Sequence, residues 1–515
     1  MSFKNLLILF ALGLTLSSCG SHKNEPNTLR ANLGTEPPTL DWNLANDYSS
    51  FDIISNLMVG LTRFGVDKDG KITTEPGCAY KWQISPDAKE YIFWLDPQAK
   101  WSDGRAVMAQ DFIDSFARAL DPDTAAPYAE LLSLIDLEKT KTIDDKTLKI
   151  FLKRPAAYFI YLTSYGLTLP IRQDLINKYG NQWTEPENLV VNGPFTLKEW
   201  RHEYRIVLER NPLFHLNKAE VQWLKFFMVA EQASAFTLFK NGEFDYIDSR
   251  SLPLSEIKRI RQSIDPKQVS RARLLRNTYV GFNAQKKPFS DKRIRQAFSY
   301  AIDRNILVKI RSRDDLANST WIPPVLSGLP TVNAYMPELA RQKLAEAGYP
   351  DGKNFPEVEM LIPSREDAKL LAETLQSIWH KELNVKVKIK AMEWKVFLST
   401  LRDDPPDIFR LNWSADYPDP DTFMQLFSTN NQANYGKWSN SQYDQLVQDA
   451  ASTIDTSLRK KLYSRAEFLL TQEEMAIAPL FIDTQIIIKQ KRVKNLEANS
   501  LDIVFLDKVQ LSGNP

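Results

Sequence analysis

Two side-chain periodicities interleave along this chain, and that interleaving limits its architecture more than any other feature. In KTLKIFLKR (146–154), Leu148, Ile150 and Leu152 fall on one face of an extended segment. NVKVKIKA (384–391) sets Val385, Val387 and Ile389 opposite lysines, and YRIVLERNP (204–212) is an apolar run closed by Asn-Pro. Between such strands the spacing turns helical. In SDKRIRQAFSYAIDRNILV, Ile294, Ala297, Phe298, Ala301, Ile302 and Leu307 repeat at three and four, with Ser290 or Asp291 as the expected N-cap. MPELARQKLAEAG places Pro337 in a first turn and Gly348 just past an end. Helices and strands that alternate throughout predict α/β layers. The 515 residues, 43% hydrophobic, suffice for two or three domains with full cores.

Charge excludes some partners. Lys+Arg number 65 and Asp+Glu 64, so no strong field favours nucleic acid or an anionic membrane surface. The N-terminus, MSFKNLLILFALGLTLSSCG, has Lys4, an apolar run from Leu6 to Leu16, then small residues. That order, on a run too short to span a bilayer comfortably, is that of a secretory signal (1–18). Leu16-Ser17-Ser18-Cys19 resembles the lipobox of bacterial lipoproteins, which predicts a lipid-modified Cys19 and a polar tether over 19–27. With Cys19 lipidated only Cys78 remains, so no internal disulfide is expected and the body must be stabilised by burial.

Catalytic constellations are thin. The four histidines lack metal-ligand spacing, and there is no nucleophile elbow, phosphate-cradling glycine loop or HExxH. Cys78 reads as a small core residue. No enzyme activity, metal or cofactor is expected.

One stretch is unusual. RLNWSADYPDPDTF (410–423) gathers an arginine, aromatic rings and acids around Pro418 and Pro420, which forbid a continuous helix and disfavour a central strand. Read alone it is as much a solvated turn as a site. Three further stretches are AKWSDGRAVMAQDFIDSFARALDPDTAAPYAELL (99–132), VVNGPFTLKEW…YRIVLERNPLF (190–214) and VGFNAQKKPFSDKRIRQAFSYAIDR (280–304). Together, in this order and spacing, the four resemble the oligopeptide- and dipeptide-binding solute receptors of ABC transporters, from about residue 29 to the C-terminus. Met108 stands where that family usually has threonine at a helix start, so a cap is expected to be lost there.

The resemblance implies a two-lobed periplasmic-binding-protein-like fold of the class II type, α/β, with an extra inserted domain and a hinge between lobes. Domain I would comprise 28–63, 190–270 and 485–515, domain II the insertion 64–189, and domain III 271–484. Chain crossings near 270 and 485 would serve as the hinge. A receptor that accepts varied peptides can rely only on the ammonium, the carboxylate and the backbone amides, so it needs an acid, a base and an extended edge, with side chains left in wet, roomy pockets. By position, Asp416 matches the acid that holds the ligand ammonium, and Arg410 an arginine suited to a carboxylate. Trp413, Trp394, Tyr128 and Tyr279 match pocket-lining aromatics, though each is equally a core residue on pattern alone. Asp419 and Asp421 read as caps of the helix holding Phe423.

Departures from the family concern the carboxylate end. Places where relatives carry length-setting basic side chains hold Ser312, Ala368 and Leu401. Arg311, Arg313 and Arg402 are adjacent, but on a strand an adjacent residue points the other way. Arg276 and Ser414 occupy the places of a cysteine pair found in some members, and Arg276 is an alternative carboxylate anchor. The expected protein is a monomeric, lipid-anchored extracytoplasmic receptor that hands short peptides to an ABC permease. The same scaffold retuned to a metal chelate, sugar or cell-wall peptide is the alternative, and a surface hydrolase or chaperone a more distant one.

Overall fold

The computed structural model describes residues 27–66, 72–328 and 332–513. The signal, Cys19 and all of the tether but Asn27 lie outside them. The described residues open with strand β1 (Thr28–Asn32) and helix α1 (Tyr48–Leu57), whose first turn is capped by the Asp47 carboxylate accepting from the Ser50 N–H. The chain then enters a separate antiparallel sheet, ordered β2–β3–β5–β4, of β2 (Ala79–Ile84), β3 (Glu90–Leu95), β4 (Lys141–Asp144) and β5 (Thr147–Phe151). Leu148, Ile150 and Leu152 are buried on one side, as the alternation predicts. Helix α2 (Ala109–Leu120) covers this sheet with Phe112, Phe116 and Ala119. Met108, its N-cap, offers no side-chain acceptor; the Asp111 carboxylate takes the Met108 N–H and the Trp101 indole N–H, each at 2.9 Å.

The chain returns through β6 (Phe195–Arg201), β7 (Arg205–Arg210), β8 (Trp223–Phe227) and β9 (Tyr246–Asp248) to the long strand β10 (Val269–Phe282). The second lobe supplies β11 (Val358–Pro363), β12 (Val387–Met392) and β13 (Ile408–Ser414), and β14 (Ile477–Lys489) leads back. All join β1 in one mixed sheet, ordered β12–β11–β13–β10–β14–β9–β1–β8–β7–β6. β10 and β14 pair antiparallel from Val269↔Ile488 to Gly281↔Ile477, with a break in register between Arg273 and Asn277. Irregularities of this kind bend and twist a strand pair locally. At one end their residues Ile486 and Ile488 pack with Phe236, Ile247 and Ile257; at the other, Val280, Phe282, Ala478 and Leu480 pack in the second lobe. These two strands therefore run from one core cluster to another.

The cores follow the same division. β1, α1 and the four-stranded insertion share one core, from Leu29 and Ile53 to Phe93 and Phe112. In the second lobe alternate residues of β10 and β13 feed two cores on opposite faces, Val280 and Ile408 on one and Tyr279, Phe409 and Leu411 on the other. One sequence expectation needs correction. The run from 290 to 308 is two helices, Lys292–Tyr300 and Arg304–Arg311, because the Asp303 carboxylate accepts the Asn305 N–H and starts the second. Apolar spacing continues across the break, so periodicity alone conceals it.

Candidate ligand-binding site

β13 runs out of the core of the second lobe toward the first. Its neighbour β11 pairs with it only at Ile408 and Phe409, whereas β10 accompanies it to Ser414. From Arg410 to Ser414 one edge thus has no strand partner among the described residues. Beyond Ser414, Pro418 and Pro420 stop the strand and the chain turns into the short helix Asp421–Met424. Asp419 accepts the Asp421 N–H at 2.9 Å at that turn and forms a two-pronged ion pair with Arg459 at 2.6 and 2.7 Å. Asp421 accepts the Tyr417 and Tyr463 hydroxyls.

Asp416 differs from these acids. It lines a cavity of about 380 Å³ between the lobes, within the range of small-ligand sites. Its side chain bonds only the Thr422 hydroxyl, at 3.3 Å, and no cation pairs with it among the described residues. Its surface area is that of a partly buried residue, yet the cavity walls enclose it. Burial pushes its carboxyl up to about 7, against the smaller downward pull of Thr422. An enclosed acid with no partner is an expensive arrangement unless a guest cation completes it.

Tyr128, Trp413 and Trp394 line the same cavity. Tyr128 meets Tyr165 edge-on at 6.0 Å, and the Trp413 indole N–H has no partner. Trp394 is half exposed and stacks on Phe397. Tyr279 does not belong with them. It is 1% exposed, in edge contact with Trp321, Phe409 and Phe427, which corrects the expectation of a pocket-lining ring. β10 turns Tyr279 to the buried face, and nothing in its sequence neighbourhood reveals which face that is.

Arg410 also lies off the cavity. It is 6% exposed and its Nε has no partner. Burial pushes its guanidinium down to about 10, opposed chiefly by nearby Asp367. Ala368 and Leu401 are fully buried, so neither place offers an anchor. Arg311 and Arg313 are not on a strand: Arg311 ends a helix and Ser312 is its left-handed cap, so the alternation argument does not hold there. Arg311 pairs with Asp315 at 2.5 Å and Asp483 at 2.7 Å. Arg276 is likewise committed, to Asp502 at 2.7 Å, with Ser414 and Tyr48 as further partners.

Several lining residues escape sequence reasoning. Tyr48, Phe51 and Ile54 come from α1, Tyr165 from the insertion, and Leu501, Ile503, Phe505 and Leu506 from the terminal segment. No helix among the described residues is long and apolar enough to cross a membrane, and none of their His, Cys, Asp and Glu side chains cluster as a metal site.

Comparison with known proteins agrees with this fold. The chain is 32% identical over 482 residues to the periplasmic oligopeptide-binding protein OppA of Escherichia coli K12, covering 89% of this chain and 87% of that protein. The structure of a periplasmic oligopeptide-binding protein from Borrelia burgdorferi superposes with TM-score 0.81 at 28% identity, over 94% of this chain and 99% of that one. Haemophilus influenzae OppA in complex with RPPGFSPFR superposes with TM-score 0.80 at 26% identity, over 95% and 100%. Residues 73–435 match the model of the bacterial extracellular solute-binding proteins, family 5 (middle region), and the chain belongs to that family.

Proposed function

We propose that this protein is a lipid-anchored extracytoplasmic receptor that closes its lobes on short peptides and delivers them to an ABC permease, acting as a monomer and without catalysis. The observation that carries the reading is Asp416, an enclosed carboxylate without a cation in a cavity between lobes. A peptide ammonium supplies the missing charge. The unpaired edge from Arg410 to Ser414 offers backbone groups to an extended guest, as in strand addition. The Trp413 indole is an unused donor beside it. Arg410, further along the same strand, is the base for a guest carboxylate. The two relatives named OppA are described as oligopeptide-binding or as bound to a nonapeptide, which agrees with this reading. The lipobox at 16–19 supports the anchor.

Calorimetry tests it. Free-amine peptides should bind and their N-acetylated forms should bind far worse. Asp416→Asn should cost about 3–5 kcal/mol, the penalty of an ion left buried without its partner. Equal affinity of free and acetylated peptides would overturn the reading.

A further inference from the structure

The cavity beside Asp416 has a mostly apolar wall for a site that must accept varied side chains. Its walls include Phe51, Ile54, Phe64 and Phe214 from the first lobe and Ile503 and Phe505 from the terminal segment. The apolar wall starts at the acid itself. The charge of Asp416 is felt by both Tyr128 and Tyr165, and Tyr165 lies 5.5 Å from Phe51, ring to ring. Gly166 allows this approach: a Cβ there would stand 2.6 Å from the Phe51 ring.

The other charged groups on the lining are occupied. Asp47 caps α1 and accepts the Ser49 and Ser50 hydroxyls. Arg63 and Asp507 pair with each other at 2.9 Å. The lining therefore offers one uncommitted anionic acceptor, and next to it a pocket of rings and aliphatic groups. That combination is complementary to a cation attached to a bulky apolar group.

We infer that the first side chain of the captured peptide enters this cavity, and that the receptor selects peptides whose N-terminal residue is aromatic or a large aliphatic. This inference rests on the peptide reading above and adds a selectivity to it. A charged side chain would have to give up water there with no free opposite charge among the described residues to meet it, and an amide would exchange full hydration for the few polar groups on a mostly apolar wall. A first glycine would leave the cavity unfilled.

The test is a panel of tripeptides with Phe, Leu, Gly or Asp followed by Gly-Gly, each with a free and an acetylated amine, titrated into the full chain near neutral pH. The expected result is that the Phe and Leu peptides bind on the order of 10- to 100-fold more tightly than the Gly peptide, and the Asp peptide most weakly. Comparable affinity for all free-amine peptides would overturn the selectivity while leaving the peptide reading intact. Absence of binding by every free-amine peptide would overturn both. Ile503→Trp, which fills the cavity from an irregular segment, should lower affinity for the Phe peptide and spare the Gly peptide. If that variant does not fold, the panel on the unaltered protein still decides.

Discussion

The Tyr48 hydroxyl lies 2.8 Å from the Ser414 hydroxyl, although 366 residues separate them and each belongs to a different lobe. Arg276 completes the contact. It is the register partner of Ser414 across β10 and β13, donates to Ser414 at 2.6 Å and to Tyr48 at 2.7 Å, and pairs with Asp502. Its guanidinium also sits 5.2 Å from the Tyr48 ring, while Arg250, held by Asp52 and Asp248, approaches that ring at 5.8 Å. Tyr48 lines both the 380 Å³ cavity and a neighbouring hollow of about 320 Å³, so its ring stands between them. The lobes are thus joined by polar side chains at the site itself.

Tyr48→Phe keeps the ring and deletes both hydroxyl bonds. Each is a partly exposed hydrogen bond of about 0.5–1.5 kcal/mol, so closure should weaken and peptide affinity fall by roughly 3- to 30-fold. Small-angle scattering of the empty protein should show a larger radius of gyration. If both quantities match the unaltered protein, the clasp does not contribute to closure.

Asp416→Asn should stabilise the empty protein while spoiling it as a receptor. The folded carboxyl holds its proton to about 7, well above its ordinary value of 3.8. Between these limits the unfolded chain has released a proton that the folded chain keeps, so this group lowers stability as pH rises through the window and no further above it. Asparagine removes that effect. Allowing for water in the cavity, thermal melts should show a gain of about 1–3 kcal/mol at pH about 8 and none near pH 4. A variant no more stable at the higher pH would mean that the carboxylate is well solvated.

Ligand binding should follow a bell. A peptide amine titrates near about 8 and Asp416 at about 7, so the charged pair coexists best between those values. The groups facing Asp416 are the hydroxyls of Tyr128, Tyr165 and Thr422; burial raises both tyrosines, so none of the three carries charge there. On the acid side, affinity should fall about tenfold per pH unit, the proton having to leave before the ammonium binds. Isothermal titration from acid to mildly basic pH measures this, and a flat acid limb would contradict it.

Much of the scaffold was legible because it is written in local repeats. The strand with Leu148, Ile150 and Leu152 shows period two, and Gly348, at φ +99°, sits where a helix end was expected. Asp416 was reached differently, through its place in the family pattern; the two prolines alone left the stretch as much a solvated turn as a site. What sequence could not show depends on contacts between distant segments. Tyr279 and Tyr128 are equivalent as letters, and only the facing of β10 buries one. Phe51 and Ile503 line one cavity although an early helix carries one and a segment hundreds of residues later the other. The split at Asp303 fails for a smaller cause, a single carboxylate competing for a backbone N–H within an unbroken apolar stripe.

Arg410 yields a prediction about length. Around it stand Arg311 and Arg365 with Asp367 and Asp483. The acids are already engaged, Asp483 by Arg311 at 2.7 Å and Asp367 by Arg365 at 3.1 Å, which leaves Arg410 without an ion pair of its own among the described residues. A guest carboxylate would balance the cluster. Arg410 lies four residues from Ser414 along β13, about 13 Å, so a dipeptide held at Asp416 falls short and a peptide of about four or more residues reaches it. Replacing a terminal carboxylate by an amide should therefore cost longer peptides roughly 10- to 100-fold in affinity and leave dipeptides unchanged. In Arg410→Met that difference should vanish at every length. The variant should be as stable as the unaltered protein or more so, because a buried unpaired guanidinium is replaced by an apolar chain of similar volume. If calorimetry finds acids and amides of long peptides equal in the unaltered protein, the carboxylate is held elsewhere or not at all.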